Sequence, residues 1–104
     1  MTTSNRTAEV RRTTAETDIQ ATLALCAPAS ACEISTGLGF LDHMMTALAR
    51  HAGFGLILTC RGDTHVDDHH TVEDCALVLG QAIDGALGDR RGIARFGSAY
   101  APLD

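Results

Sequence analysis

Residues Thr17–Leu25 read TDIQATLAL. Ile19, Ala21, Leu23 and Leu25 fall on one side of an extended chain, with Asp18, Gln20 and Thr22 on the other. Successive side chains of a strand point to opposite faces, so this period of two predicts a strand with one buried face. Such a strand needs an apolar cover, and the sequence supplies two helical patterns downstream. Leu41, Met44, Met45 and Leu48 recur at helical spacing and predict a core-facing stripe on a helix over Phe40–Ala52. Val72, Cys75, Ala76, Leu79, Ile83 and Ala86 do the same for a helix over His69–Leu87, closed by Gly88.

The segments between these fill in the order. Met1–Asn5 is polar and expected to fray. Thr7–Thr14, rich in Thr and Arg around Val10, reads as an exposed strand. "APASA" at Ala27–Ala31 breaks the chain because Pro28 has no amide donor. Cys32–Ser35 is a short third strand, and "TGLGF" turns the chain into the first helix. Gly53 ends that helix. Phe54, Leu56, Leu58 and Cys60 then alternate in a buried strand, with Ile57 on its other face. "RGD" at Arg61–Asp63 reads as a turn, and Asp89–Asp104 as a loop-rich tail. The order β-β-β-α-β-α predicts one α+β domain over residues 1–104, a four-stranded sheet with two helices on one face.

Composition narrows the function classes. Every basic residue is Arg, the net charge is −5, and no basic stripe is present, which argues against nucleic acid. Arg61, Arg90, Arg91 and Arg95 remain as a local anion-binding set, since guanidinium suits phosphate. No apolar run is long enough to span a membrane or serve as a signal peptide. Cys26, Cys32, Cys60 and Cys75 form no C-x-x-C pair and read as reduced thiols of a cytoplasmic protein. With no Trp and only four Phe and Tyr, the core is built from aliphatic side chains and is thin, so association with other copies is expected.

The chemistry concentrates in "DDHHTVED", Asp67–Asp74. His70 and Glu73 are three residues apart on the second helix, so they share a face. His69 diverges from His70 by about 100° and points towards a different ion. On the first helix His43 and His51 share a face away from the core stripe. Imidazole and carboxylate without thiolate favour Mn, Fe, Co, Ni or Zn. The plainer reading of the same residues is Asp67 or Asp68 as N-cap, Glu73 as a first-turn acid and surface histidines. His65 reads as solvated, and Met44 and Met45 as core filler.

"RRTTAETDI" (Arg11–Ile19), "TGLGFLDHMMTALARHAGF" (Thr36–Phe54) and the run from Gly62 to Gly97 together resemble imidazoleglycerol-phosphate dehydratase. "GF-x-DHM", then "DHHTVED", then "GI-x-RFG" is a specific order, and the likeness covers nearly the whole chain. The resemblance implies a ribosomal protein S5 domain 2-like half and a carbon–oxygen lyase of histidine biosynthesis. That lyase converts imidazole glycerol phosphate to imidazole acetol phosphate. It also implies two ions, usually manganese (Mn2+) or another divalent transition metal, holding the substrate ring as an imidazolate. By position, His43, His69, His70 and Glu73 match metal ligands. Glu16, His51 and Arg95 match substrate contacts, with Arg95 on the phosphate side, Glu16 at the proton and Asp74 supporting acid–base chemistry. The family continues into a second, similar half with its own ligand set. The resemblance therefore implies a half-protein whose site is completed by a second copy about a two-fold axis. The alternatives are a self-assembling metal-binding scaffold without turnover and, from a different class, a small transition-metal sensor or store.

Overall fold

In the computed structural model, which describes residues 6–26 and 31–103, the alternating stretches lie in the middle of the sheet. The elements are β1 (Thr7–Thr13), β2 (Thr17–Ala24), β3 (Cys32–Ser35), α1 (Gly39–Ala52), β4 (Gly55–Gly62) and α2 (His69–Leu87). Strand order is β1-β2-β4-β3. β2 pairs antiparallel with both β1 and β4, whereas β3 and β4 are parallel. Parallel neighbours need a crossover, and α1 provides it. The expectations for Met1–Asn5 and Pro28 fall outside the described residues.

Pairing of β2 with β4 sets the core. Ile19 faces Cys60, Ala21 faces Leu58 and Leu23 faces Leu56. On that side Ile19, Ala21, Leu23, Leu56 and Leu58 are buried under Met45 and Ala49 of α1 and Cys75, Val78, Leu79, Ala82 and Ala86 of α2. Both helices thus cover one face. Ile57 is exposed on the other, as the alternation requires. Among the described residues no helix is long and apolar enough to cross a membrane, and none beyond Leu87 forms a helix or strand.

Both helical stripes hold in part, with Met45, Cys75, Leu79 and Ala86 in the core as expected, and each is shifted at one edge. On α1 the buried residues are Met45 and Ala49, with Leu41 half-buried, while Met44 and Leu48 are 43% and 46% exposed. An apolar stripe is wider than the line of contact with a sheet, so one edge packs and the other is left open. Phe40, Met44 and Leu48, spaced four apart, are that open edge. On α2 Val72 and Ala76 are exposed, and the inward row instead begins with two polar residues, Thr71 and Asp74. Gly62 admits this approach. A Cβ there would lie 2.1 Å from the Thr71 hydroxyl, so only glycine lets α2 settle so close to the end of β4.

Candidate metal and substrate site

The first turn of α2 carries the chemistry because the chain leading into it is pinned. Asp68 caps the helix without a side-chain bond, while the amide of His69 donates to Asp67 Oδ1 at 2.9 Å. This local Asx-type bond occupies one of the amides that a helix start leaves unpaired. It also fixes where His69 and His70 leave the backbone. The two rings stand 5.6 Å apart at 70° to each other, edge to face, so they aim in different directions as their spacing requires. His69 Nε2 lies 3.5 Å from Glu73 Oε1.

His70 is oriented from behind. Its Nδ1 lies 2.7 Å from Oδ2 of Asp63. A carboxylate only accepts, so Nδ1 carries the proton and Nε2 keeps its lone pair when the ring is neutral. This is the arrangement by which a carboxylate fixes the tautomer of a metal-ligating histidine. The hydrogen bond to Asp63 also raises the pKa of His70 above its ordinary 6.5. Desolvation opposes the rise, and the charges of Asp63, Glu16 and Asp67 add to it. In return the bond from His70 lowers Asp63 below its ordinary 3.8, against desolvation. Burial foremost pushes the Cys75 thiol up to about 12, and it raises Cys60 as well. The donors that the start of α2 presents are imidazole and carboxylate, a set that fits divalent first-row transition metals.

The other sequence candidates lie as follows. Glu16 is exposed in the turn between β1 and β2, close enough for its charge to act on His70. His43 and His51 are exposed on α1, and His65 is exposed in the loop before α2. Asp74 is buried, 6% exposed, and faces inward: Oδ2 accepts from the hydroxyl of Thr17 at 2.6 Å, and Oδ1 lies 3.7 Å from Nε of Arg12. Arg95 is exposed in the tail. Arg6 donates to the carbonyls of Leu87 and Arg91, tying the start of the tail to the end of α2. From Arg91 four extended residues reach at most ~14 Å, while a helix of 19 residues is about 28 Å long. Arg95 therefore leaves from the opposite end of α2 to His69 and His70. Among the described residues no group of three or more His, Cys, Asp or Glu side chains converges on one point.

Sequence reasoning passed over Asp63 and Thr17. Asp63 sits in the "RGD" that reads as a turn, and its partner is seven residues on. Thr17 opens the alternating strand, where a hydroxyl at an inward position is the one available signal.

Comparison with known proteins adds the family. The model of imidazoleglycerol-phosphate dehydratase matches residues 36–104. An imidazoleglycerol-phosphate dehydratase of Cereibacter sphaeroides is 56% identical over 99 residues, which is 95% of this chain and 50% of that protein. One from Phytophthora nicotianae is 60% identical over 99 residues, 95% of this chain and 22% of that protein. One from Candida glabrata is 66% identical over 71 residues, 68% of this chain and 34% of that protein. The chain thus spans half the length, or less, of these relatives. The family model matches most of the chain, the histidine-bearing turn included, and relatives are 56–60% identical over 95% of it: the chain belongs to the imidazoleglycerol-phosphate dehydratase family.

Proposed function

We propose that this chain supplies one half of a divalent-metal dehydratase centre of histidine biosynthesis, acting on imidazole glycerol phosphate in the cytoplasm, and that a second copy supplies the other half. The observation that carries the reading is the start of α2. His69, His70 and Glu73 face outward there, the two histidine rings diverge, and one histidine is already held by Asp63 with Nε2 free. His70, Glu73 and His43 would hold one ion, with His69 of another copy completing the protein ligands. Bound there, manganese or another divalent transition ion supplies positive charge beside the substrate ring, where negative charge develops as the carbon-bound proton leaves. Glu16 stands in the turn beside that site as the group to exchange the proton. Hydroxide departs from the neighbouring carbon and, with a proton, leaves as water. His51 and Arg95 are the further substrate contacts, with the Arg95 guanidinium suited to phosphate by its paired donors.

Sharing between copies is supported by three observations. Among the described residues no three ligand-type side chains gather at a point. The tail that bears Arg95 leaves α2 from the end opposite the histidine turn. The helix layer also leaves an apolar row uncovered: Phe40, 75% exposed, with Met44 and Leu48. This row joins Val72 across a 230 Å³ pocket that also reaches Asp68, next to His69. Soluble monomers rarely leave such patches bare.

The alternative is a metal-binding assembly that does not turn over, favoured because among the described residues no three ligand-type side chains meet at one point. Product formation from imidazole glycerol phosphate by manganese-loaded protein decides between them, with chelator-treated protein and Glu73→Ala as controls. The dehydratase reading expects turnover lost in both controls. An assembled, metal-bound sample without turnover leaves the binding reading alone.

A further inference from the structure

Asp74 lies next to Glu73 in the chain but points the other way, into the protein. What it meets there is a chain of hydroxyls whose direction can be worked out from donors and acceptors alone. A carboxylate only accepts, so the 2.6 Å contact is a bond donated by Thr17 Oγ1 to Asp74 Oδ2. With its one proton spent, Thr17 Oγ1 can only accept across its 3.1 Å contact with Thr14 Oγ1, so Thr14 is the donor there. Thr14 Oγ1, its own proton also spent, accepts from the amides of Glu16 at 3.1 Å and Thr17 at 3.0 Å. The backbone closes the same turn, with the amide of Thr14 donating to the carbonyl of Thr17 at 2.8 Å. The donors that meet at the two hydroxyls thus all point towards the buried carboxylate of Asp74. Such an aligned chain polarises its members and holds them more firmly than separate bonds do.

The two ends of this chain are the two parts of the proposed site. One end is the turn of α2 that carries His70 and Glu73. The other is the amide of Glu16. We infer that Asp74, Thr17 and Thr14 are positioning residues: their hydroxyl chain locks the turn between β1 and β2 to the first turns of α2. It thereby fixes Glu16 relative to His70 and Glu73. The inference rests on the reading of Glu16 and the α2 turn as one site, and it gives Asp74 a role that needs no access to substrate. Thr17 is 3% exposed, so solvent cannot replace the lost bond when its hydroxyl is removed.

The test uses the full chain and three variants. Thr17→Val keeps the shape of the side chain and removes the donor, Thr17→Ser keeps the donor, and Thr17→Val/Asp74→Asn also removes the buried charge in case the first does not fold. The primary measurement is amide hydrogen exchange in the metal-free protein. Thr17→Val, or the double variant in its place, is expected to speed exchange at Glu16 by about tenfold. Leu58 and Val78 should stay at the wild-type rate, and Thr17→Ser should restore Glu16. Unchanged exchange at Glu16, or an equal rise at Leu58 and Val78, overturns the inference. Where wild type turns over imidazole glycerol phosphate, kcat should fall in Thr17→Val and recover in Thr17→Ser at unchanged manganese affinity. Where it does not, the proposed activity fails while the exchange measurement still decides the positioning role.

Discussion

His70 and Asp63 share one proton, and each alters the titration of the other. With its pKa raised, His70 stabilises the fold fully below its ordinary 6.5 and ceases to do so as pH rises through the elevated value. Asp63, lowered, contributes above its ordinary 3.8 and ceases to as pH falls through the depressed value. Together they predict a stability plateau for the metal-free protein between these ordinary values. Asp63→Asn should flatten both shoulders and return the His70 titration towards 6.5, as read by ring proton shifts against pH. A His70 midpoint unmoved by Asp63→Asn would refute the pairing. Cys75 offers a second check at this scale. A thiol held near 12 has almost no thiolate at neutral pH. Alkylation at pH 8 should therefore label the exposed Cys26 rapidly and leave Cys75 unmodified until the protein unfolds.

At the scale of elements, the contact of β4 with α2 depends on a missing side chain. Gly62→Ala places a carbon 2.1 Å from the Thr71 hydroxyl. It should lower stability by about 1–3 kcal/mol, as overpacking generally does. Thr71→Ala in the same chain should recover most of that loss, since it removes the atom that is struck; denaturant midpoints measure both. This contact also marks where sequence reasoning stops. The strands Thr17–Ala24 and Gly55–Gly62 were legible because alternation states which residues face in. Helix α2 was legible in extent from His69 to Leu87. Its orientation was legible only in part: Cys75, Leu79 and Ala86 face inward as expected, but at its start hydropathy expects an apolar sheet-facing row. Thr71 and Asp74 turn inward instead, and the partner that satisfies Asp74 is 57 residues away. The outward cluster His69, His70 and Glu73 was readable from spacing, because it needs only the helix itself. Asp63 and Thr17 were not, because their roles exist only once strands and helix have packed.

For the molecule as a whole, the proposal that a second copy covers the open row Phe40–Met44–Leu48 predicts its behaviour in solution. Met44→Glu should shift light scattering towards the single-chain mass without altering far-ultraviolet circular dichroism, because Met44 lies off the core. His69→Ala should lower both the assembled mass and the bound manganese, because the proposed bridging ligand serves both; an unchanged oligomer with full metal content would remove that bridge. The row has a further effect. If it is covered only by another copy, unfolding separates subunits as well as melting each one, so stability follows mass action. A hundredfold rise in protein concentration then adds about 2.7 kcal/mol per released subunit contact. For a pair of this size it lifts the midpoint of thermal melting by roughly 5–10 °C. A chain assembled in that way would be robust where it is abundant and fragile where it is scarce, and dilution alone would act on it as a denaturant.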